Sequence, residues 1–511
     1  MLTYNSTPEK SMAPSIFLLL LSLVLIPTSV VVVVVGLQHV HEEDGFISVV
    51  ISDKGLDFAK QFLIEQAISS IVPSQLSDIE KKVNVPLVGK AQVILSEITI
   101  KDIKINSSSV KTGESGIVLI VSGATADLTM NWRYTARTSL VPIGISDSGT
   151  ATVKVEDLQV GLTVNLRNQE GTLELILLDY GCKVGDLSIK LSGGAAWLYQ
   201  VLVEVFEGNI ASSVEEAISQ KIREGITQLD TILQSLPKTV SLDKTAVLNV
   251  SFVGNPVLTN SSIELEINGL FTGTSKVLVP QTYHRGPEIS VPRPGSPRMI
   301  EISVHENVLK SASSVYFTAD SMQWIVDEVP DQALLNTAEW RFIVPQLYKQ
   351  YPNADMNINV SVSSAPVIQV TNQDIEAAII VDVIVNVLEA GEVIPVVCIS
   401  VDISASVDVK IAKSNIAGRL ALDKFSIYLK WSKIGKLHIQ VIQSVVSSVL
   451  KTVLIPFLNS QLKKGIPLPM LNGFALENAA ILYAHPWVTV STDVAFLGHS
   501  FLRQKTAYDV L

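Results

Sequence analysis

The stretch NWRYTAR at residues 131–137 places an indole, a phenol and two guanidinium groups within seven residues. On an extended strand Trp132 and Tyr134 share one face, and Arg133 points to the other. Aromatic rings with one wet end suit a membrane interface, and a guanidinium can hold a lipid phosphate through two hydrogen bonds. The bland alternative is the solvated end of a strand pair. The residues alone leave both readings open.

Catalytic chemistry finds little to work with. The chain has no G-x-S-x-G elbow, no H-E-x-x-H helix, no phosphate loop and no cysteine beside a histidine. His305-Glu306 reads as the start of a helix rather than a dyad, so no enzyme and no cofactor are expected. Cys182 and Cys398 are the only cysteines, which excludes a disulfide-rich scaffold. No histidine pair stands at ligand spacing beside either, so no metal site is expected.

The net charge of -11 excludes a bulk field for nucleic acid, whose phosphates need a basic surface. Residues 37–237 hold 16 Lys+Arg against 25 Asp+Glu, and residues 238–511 hold 21 against 23. Anion binding must therefore use a local cluster. Residues Ile16–Ile26 fit the apolar core of a secretory signal, with Val34 and Gly36 suiting a cleavage site and Ser29 offering another. Residues 1–36 are thus expected to be a signal peptide, or an uncleaved anchor, since the whole apolar run approaches the ~20 residues that span a bilayer. Either delivers the chain to the secretory lumen. The sequons at Asn106, Asn249, Asn260 and Asn359 agree with that side of the membrane.

The elements that must position these groups recur twice. Period-two alternation marks strands at 151–166, 355–362 and 401–411, with a phase slip at Glu156-Asp157 that predicts a bulge. An apolar stripe from Phe206 through Ile210, Val214, Ile218, Ile222 and Ile226 to Leu233 predicts one long helix closed by Leu236-Pro237. A second stripe, Ile442 to Leu454, predicts another with a kink at Pro456. Earlier helices are expected from Leu56 to Val72-Pro73 and from Val308 to Val329-Pro330, and short strands at DLSIKL (186–191) and KFSIYL (424–429). The result is an α+β chain of two similar bodies, each a twisted antiparallel sheet with two helices. The expected divisions are 37–237, a linker at 238–262, 263–500 and a tail at 501–511. Pro and Gly at 281–299 indicate an exposed loop.

With SDKGLDFAKQ (52–61), TMNWRYTAR (129–137), RFIVPQLYKQYPNADMNINVSVSSAPVI (341–368) and KKGIPLPMLNGFALENA (463–479) in this order, the chain resembles the bactericidal/permeability-increasing and lipopolysaccharide-binding protein family, most closely its plant branch. The resemblance implies a boomerang of two elongated barrels joined by a central sheet, with an apolar lipid pocket in each. It implies pocket walls at Phe62, Phe206, Ile210 and Ile218, and at Val449, Val453 and Leu458. It places Lys81, Lys82 and Lys90 beside NWRYTAR, so that these lysines with Trp132, Arg133 and Arg137 form a headgroup-binding tip. Cys182 matches one position of the family's usual disulfide, but Ile222 stands at the other, so no disulfide is expected. The implied partners are phospholipid, lipopolysaccharide and a membrane surface, in a secreted protein of bacterial defence or sensing. A lumenal or membrane-anchored carrier of phospholipid between membranes is the other reading. Members that kill bacteria have a basic first domain, whereas this one is acidic.

Overall fold

The computed structural model describes residues 44–496 except 86–88, 138–143, 194–199, 275–281, 286–297, 329–331, 413–414, 452–454, 465 and 468–473. The expected signal and tail lie outside the described residues, as does most of the expected loop at 281–299. Two compact units divide the chain: the first holds Val50–Leu236 and Gly254–Leu265, and the second the remainder. Among the described residues, no helix is long and apolar enough to cross a membrane.

The first unit is built on an eight-stranded antiparallel sheet. Its spine runs from Gly89–Lys104 through Gly116–Arg137 and Gly144–Gln169 to Thr172–Lys183. Ile79–Val85 pairs with the first of these strands and Asp186–Ser192 with the third. Strands of this length must bend to cover their own apolar face, and bulges supply the bend. One falls at Glu156-Asp157, where Asp157 has φ +51 and the register slips, matching the break in alternation. Another falls after Ser96, where Glu97 has φ +53.

A long helix, Gln200–Gln234, packs on that sheet. Its 35 residues span about 50 Å. Phe206, Ile210, Val214 and Ile218, four residues apart, are buried in one cluster with Leu128, Met130, Val153 and Val155. Two carboxylates of the helix also satisfy amides at the sheet edge. Glu215 accepts from the Val184 amide at 2.8 Å and Asp230 from that of Leu175 at 2.8 Å. The opening helix, Asp53–Ile71, begins where the Ser52 hydroxyl accepts from the Gly55 amide, and it buries Leu56 and Ile71.

The second unit carries a seven-stranded antiparallel sheet whose long members are Asp355–Val362, Ile375–Glu389, Glu392–Ala412 and Asn415–Ser432. The segment KFSIYL is no separate short strand but part of Asn415–Ser432. Asp423 is the extra residue of a bulge there, Ala405 facing Leu422 and Ser404 facing Lys424, so the alternation restarts at Lys424. The helix expected to run to Val329 is Glu306–Thr318 only. Asp320 turns left-handed (φ +52) and the Ser321 amide donates back to the Tyr316 carbonyl, the hydrogen-bond pattern of a helix stop. A strand, Gln323–Val326, follows. Near the C-terminus the stripe forms helices Ile439–Val449 and Ile455–Lys464; residues 452–454 between them, before the expected kink at Pro456, lie outside the described residues.

Candidate functional site

The alternating residues Ala126, Leu128, Met130, Trp132, Tyr134 and Ala136 all face inward and are buried. Across the sheet from them lie Val93 and Leu95 on one side and Ile189 and Leu191 on the other. Val203, Phe206 and Ile210 of the long helix close the space from above. The space left between these side chains is narrow, about 30 Å³. Its lining contains no charged residue. Such a site is lined by hydrocarbon and offers no counter-ion to a headgroup; it is far smaller than the ~300–1,000 Å³ usual for small-molecule sites, so helix and sheet must part to admit an acyl chain.

Trp132 is a wall of this pocket, 4 % exposed, and this corrects its assignment to an exposed tip. Trp132 and Tyr134 do share a face, as their parity predicts, and that face is the inner one. The indole N–H donates to the carbonyls of Thr150 (3.2 Å) and Ser192 (3.3 Å), so its one polar group is satisfied inside. Gly149 stands directly opposite in the ladder. A Cβ there would come within 2.8 Å of the indole nitrogen and closer still to the Ser192 carbonyl, which explains the glycine.

Phe206 and Ile210 line the pocket, while Ile218 is buried two turns further along the same stripe and belongs to the core. Phe62 is half-buried on the opening helix and is not among the lining residues. In the second unit, Val453 lies outside the described residues, as do the side chains of Val449 and Leu458.

Of the expected tip cations, Arg133 is exposed on the outer face. Lys82 pairs with Gln92, which pairs with Thr135, and so shares that outer face; Lys90 has the same parity as Gln92 and is exposed. Lys81 is in register with Val93 and Tyr134, has inward parity and is half-buried, so it does not belong with the other three. The side chain of Arg137 and the turn at 138–143 lie outside the described residues.

Both cysteines are free. Cys182 packs, with Ile222, against the apolar cluster of the first unit, and burial with nearby Glu215 pushes its thiol up to about 12. Cys398 is buried in the second unit. Among the sequons, Asn106 and Asn260 are exposed, Asn359 is half-buried in a strand, and the Asn249 side chain accepts from the amide (3.0 Å) and hydroxyl (2.6 Å) of Ser251.

His305 is the N-cap of Glu306–Thr318: its Nδ1 accepts from the Asn307 amide at 3.1 Å, while its ring lies edge-on to Phe46 and Trp487. Burial lowers it to about 4, only partly opposed by Glu306. Glu306 accepts from Lys310 and from the Val370 amide and faces His485 at 3.7 Å. These groups tie the helix to its neighbours. Among the described residues, no three His, Cys, Asp or Glu side chains are grouped to hold a metal.

Comparison with known proteins places this architecture. Residues 55–236 match the N-terminal domain, and 240–496 the C-terminal domain, of the LBP / BPI / CETP family. A protein of Arabidopsis thaliana assigned to the BPI/LBP family is 46% identical over 457 residues, 89% of this chain and 94% of its own length. A bactericidal permeability-increasing protein of Sebastes schlegelii is 26% identical, covering 88% and 95%. The human lipopolysaccharide-binding protein is 23% identical, covering 88% and 93%. A crystal structure of lipopolysaccharide binding protein superposes with TM-score 0.57 over 89% of this chain and 100% of that one at 21% identity, a likeness of fold. The chain belongs to the LBP / BPI / CETP family.

Proposed function

We propose that this protein is a secreted, non-enzymatic binder of amphipathic lipids. Acyl chains of phospholipid or lipopolysaccharide occupy an apolar pocket in each unit, and the protein serves defence against bacteria or their sensing. The observation that carries the reading is the first-unit pocket, roofed by Phe206 and Ile210, floored by Met130 and Trp132, and free of charged lining. Each methylene buried there contributes ~0.8 kcal/mol, so a chain is held without help from its headgroup. The names of the bactericidal and lipopolysaccharide-binding relatives support the ligand class. The acidic first unit argues for capture by hydrocarbon rather than by bulk charge.

Native mass spectrometry of the purified full-length protein, followed by lipid extraction, tests this. Acyl lipid should co-purify, and Leu191→Trp, which fills the pocket, should release it while the fold is kept. A folded wild-type protein that carries no lipid and takes up none from mixed vesicles would refute the reading.

A further inference from the structure

The outer face of the first-unit sheet carries a second recess, away from the apolar pocket. Its floor is the backbone of Gly116–Arg137 and Gly144–Gln169 at Leu128 and Val153, whose side chains point inward. Around it stand Lys101, Lys154 and Lys190, with Thr129, Thr152 and Asp127 between them. The space is about 360 Å³.

Sheet register builds this cluster from four distant segments. Thr152 pairs with Thr129 on one side and with Lys190 on the other, and Lys154 pairs with Asp127. Lys101 is the extra residue of a bulge, since Ile100 faces Leu128 while Asp102 faces Asp127, and a bulge re-aims a side chain. Of the recess lysines, Lys154 is engaged with Glu156 at 2.5 Å; Lys104, on the strand of Lys101, is engaged with Asp102 at 3.1 Å. Lys101 and Lys190 are exposed and have no ion-pair partner among the described residues. With Lys154 neutralised by Glu156, Lys101 and Lys190 against the one carboxylate of Asp127 leave a small local excess of positive charge in an acidic unit, the kind of cluster that charge composition demands of any anion site here.

We propose that this recess binds a phosphorylated polyol. The lysines meet phosphate oxygens as point charges, the threonine hydroxyls donate to or accept from ring hydroxyls, and Asp127 accepts from a hydroxyl of the same ligand. No aromatic side chain lines the recess, so a nucleobase has nothing to stack on and a nucleotide is disfavoured. No apolar side chain is presented either, so the ligand is a headgroup or a free polyol phosphate rather than a tail.

The test uses the full chain in low salt with two probes: soluble inositol hexakisphosphate by titration calorimetry, and phosphatidylcholine vesicles with and without phosphatidylinositol phosphate by co-sedimentation. Lys101→Glu with Lys190→Glu should weaken wild-type binding by roughly 30-fold or more, at the strength of a lysine near an anionic surface. Lys101→Arg with Lys190→Arg should keep it within a few fold. Lys111→Glu with Lys183→Glu changes net charge equally outside the recess and should leave it nearly unaltered. Loss with the soluble probe alone identifies a free polyol phosphate, and loss with both identifies a lipid headgroup. The proposal is overturned if wild-type protein binds neither probe, or if the recess pair and the control pair weaken binding equally. Lipid carried in the apolar pocket, read by native mass spectrometry, should be the same in all variants, which separates this site from the acyl-chain reading.

Discussion

Beneath Gln200–Gln234 in the first unit the buried residues are Phe206, Ile210, Val214, Ile218 and the apolar side chains of the sheet. Beneath Glu306–Thr318 in the second unit the helix instead buries His305, Glu306, Asn307, Ser311 and Ser313 beside Val308 and Ala312. The first helix is long and joined to its sheet edge by two carboxylate–amide bonds at its rim, so its interior is free to be pure hydrocarbon. The second spans 13 residues and is fixed by polar anchors: Ser311 accepts from the Phe271 amide, Ser313 donates to the Pro366 carbonyl, and Tyr316 donates to Asp243. An apolar contact lacks direction and can part to admit a lipid chain, whereas a buried polar network specifies one arrangement and is costly to open. The first-unit pocket lies under Val203, Phe206 and Ile210, where the long helix presents only apolar side chains.

The largest effect that could break this contrast is expected at the pocket floor. Gly149→Val forces a side chain against the Trp132 indole and the Ser192 carbonyl, and Phe206→Ala removes the roof. Truncating a buried phenylalanine costs about 3–5 kcal/mol, and overpacking costs about 1–3 kcal/mol or more. Both variants should lower the first-unit urea midpoint. Bound lipid should fall in Gly149→Val but persist in part in Phe206→Ala, because the cavity grows. Equal stability of both variants with wild type would show that the strands and helix are not packed as described.

The polar anchors predict a pH response confined to the second unit. Burial keeps His305 neutral down to about 4, while in the unfolded chain it protonates near its ordinary value of about 6.5. The unfolded state therefore takes up the proton first, and stability falls as the pH drops from about 6.5 to about 4, with no contribution above that window. The difference corresponds to about 3 kcal/mol. Protonation also converts Nδ1 from acceptor to donor, opposing the Asn307 amide, and Arg285, Lys310 and His485 oppose the new charge while Glu306 favours it. His305→Asn keeps a capping oxygen. It should be less stable at pH 7, through lost packing on Phe46 and Trp487, but should lose less between pH 7 and 4.5 in urea titrations. A parallel decline in the two proteins would remove His305 as the cause.

The contrast was only partly legible in the sequence. Alternation and the four-residue stripe showed the long strands and the first helix, because those patterns follow directly from backbone period. Parity put Trp132 and Tyr134 on one face, yet identifying that face as the inner one needed the run Ala126, Leu128, Met130 to be followed through to Ala136. Asp423 concealed the length of Asn415–Ser432, since a bulge resets alternation in the same way as a strand end. Asp320 ends a helix that the apolar pattern predicts to continue, because the stop depends on a left-handed backbone rather than on hydrophobicity. The outer recess was invisible in sequence. Lys101, Asp127, Lys154 and Lys190 become neighbours only through sheet register.

The smallest predicted effect sharpens the division between the two faces of the strand that carries NWRYTAR. Arg133 is exposed on the outer face, with Lys82 and Lys90 on neighbouring strands, while Trp132 is enclosed. Replacing Arg133, Lys82 and Lys90 singly by Ala should weaken binding to anionic vesicles by about 1 kcal/mol each at low ionic strength. The loss should fade toward 1 M salt, where screening acts within ~3 Å, and pocket lipid should be unchanged. Trp132→Ala should behave oppositely, lowering stability and pocket occupancy but leaving the salt-dependent part of vesicle binding intact, because its indole reaches no surface. If the three cation variants bind anionic vesicles like wild type at low salt, the outer face at this end is an ordinary solvated strand surface. If Trp132→Ala instead weakens binding to neutral vesicles without destabilising the first unit, the indole must leave its carbonyl partners at a membrane, and the enclosed wall described here is only one of its two positions.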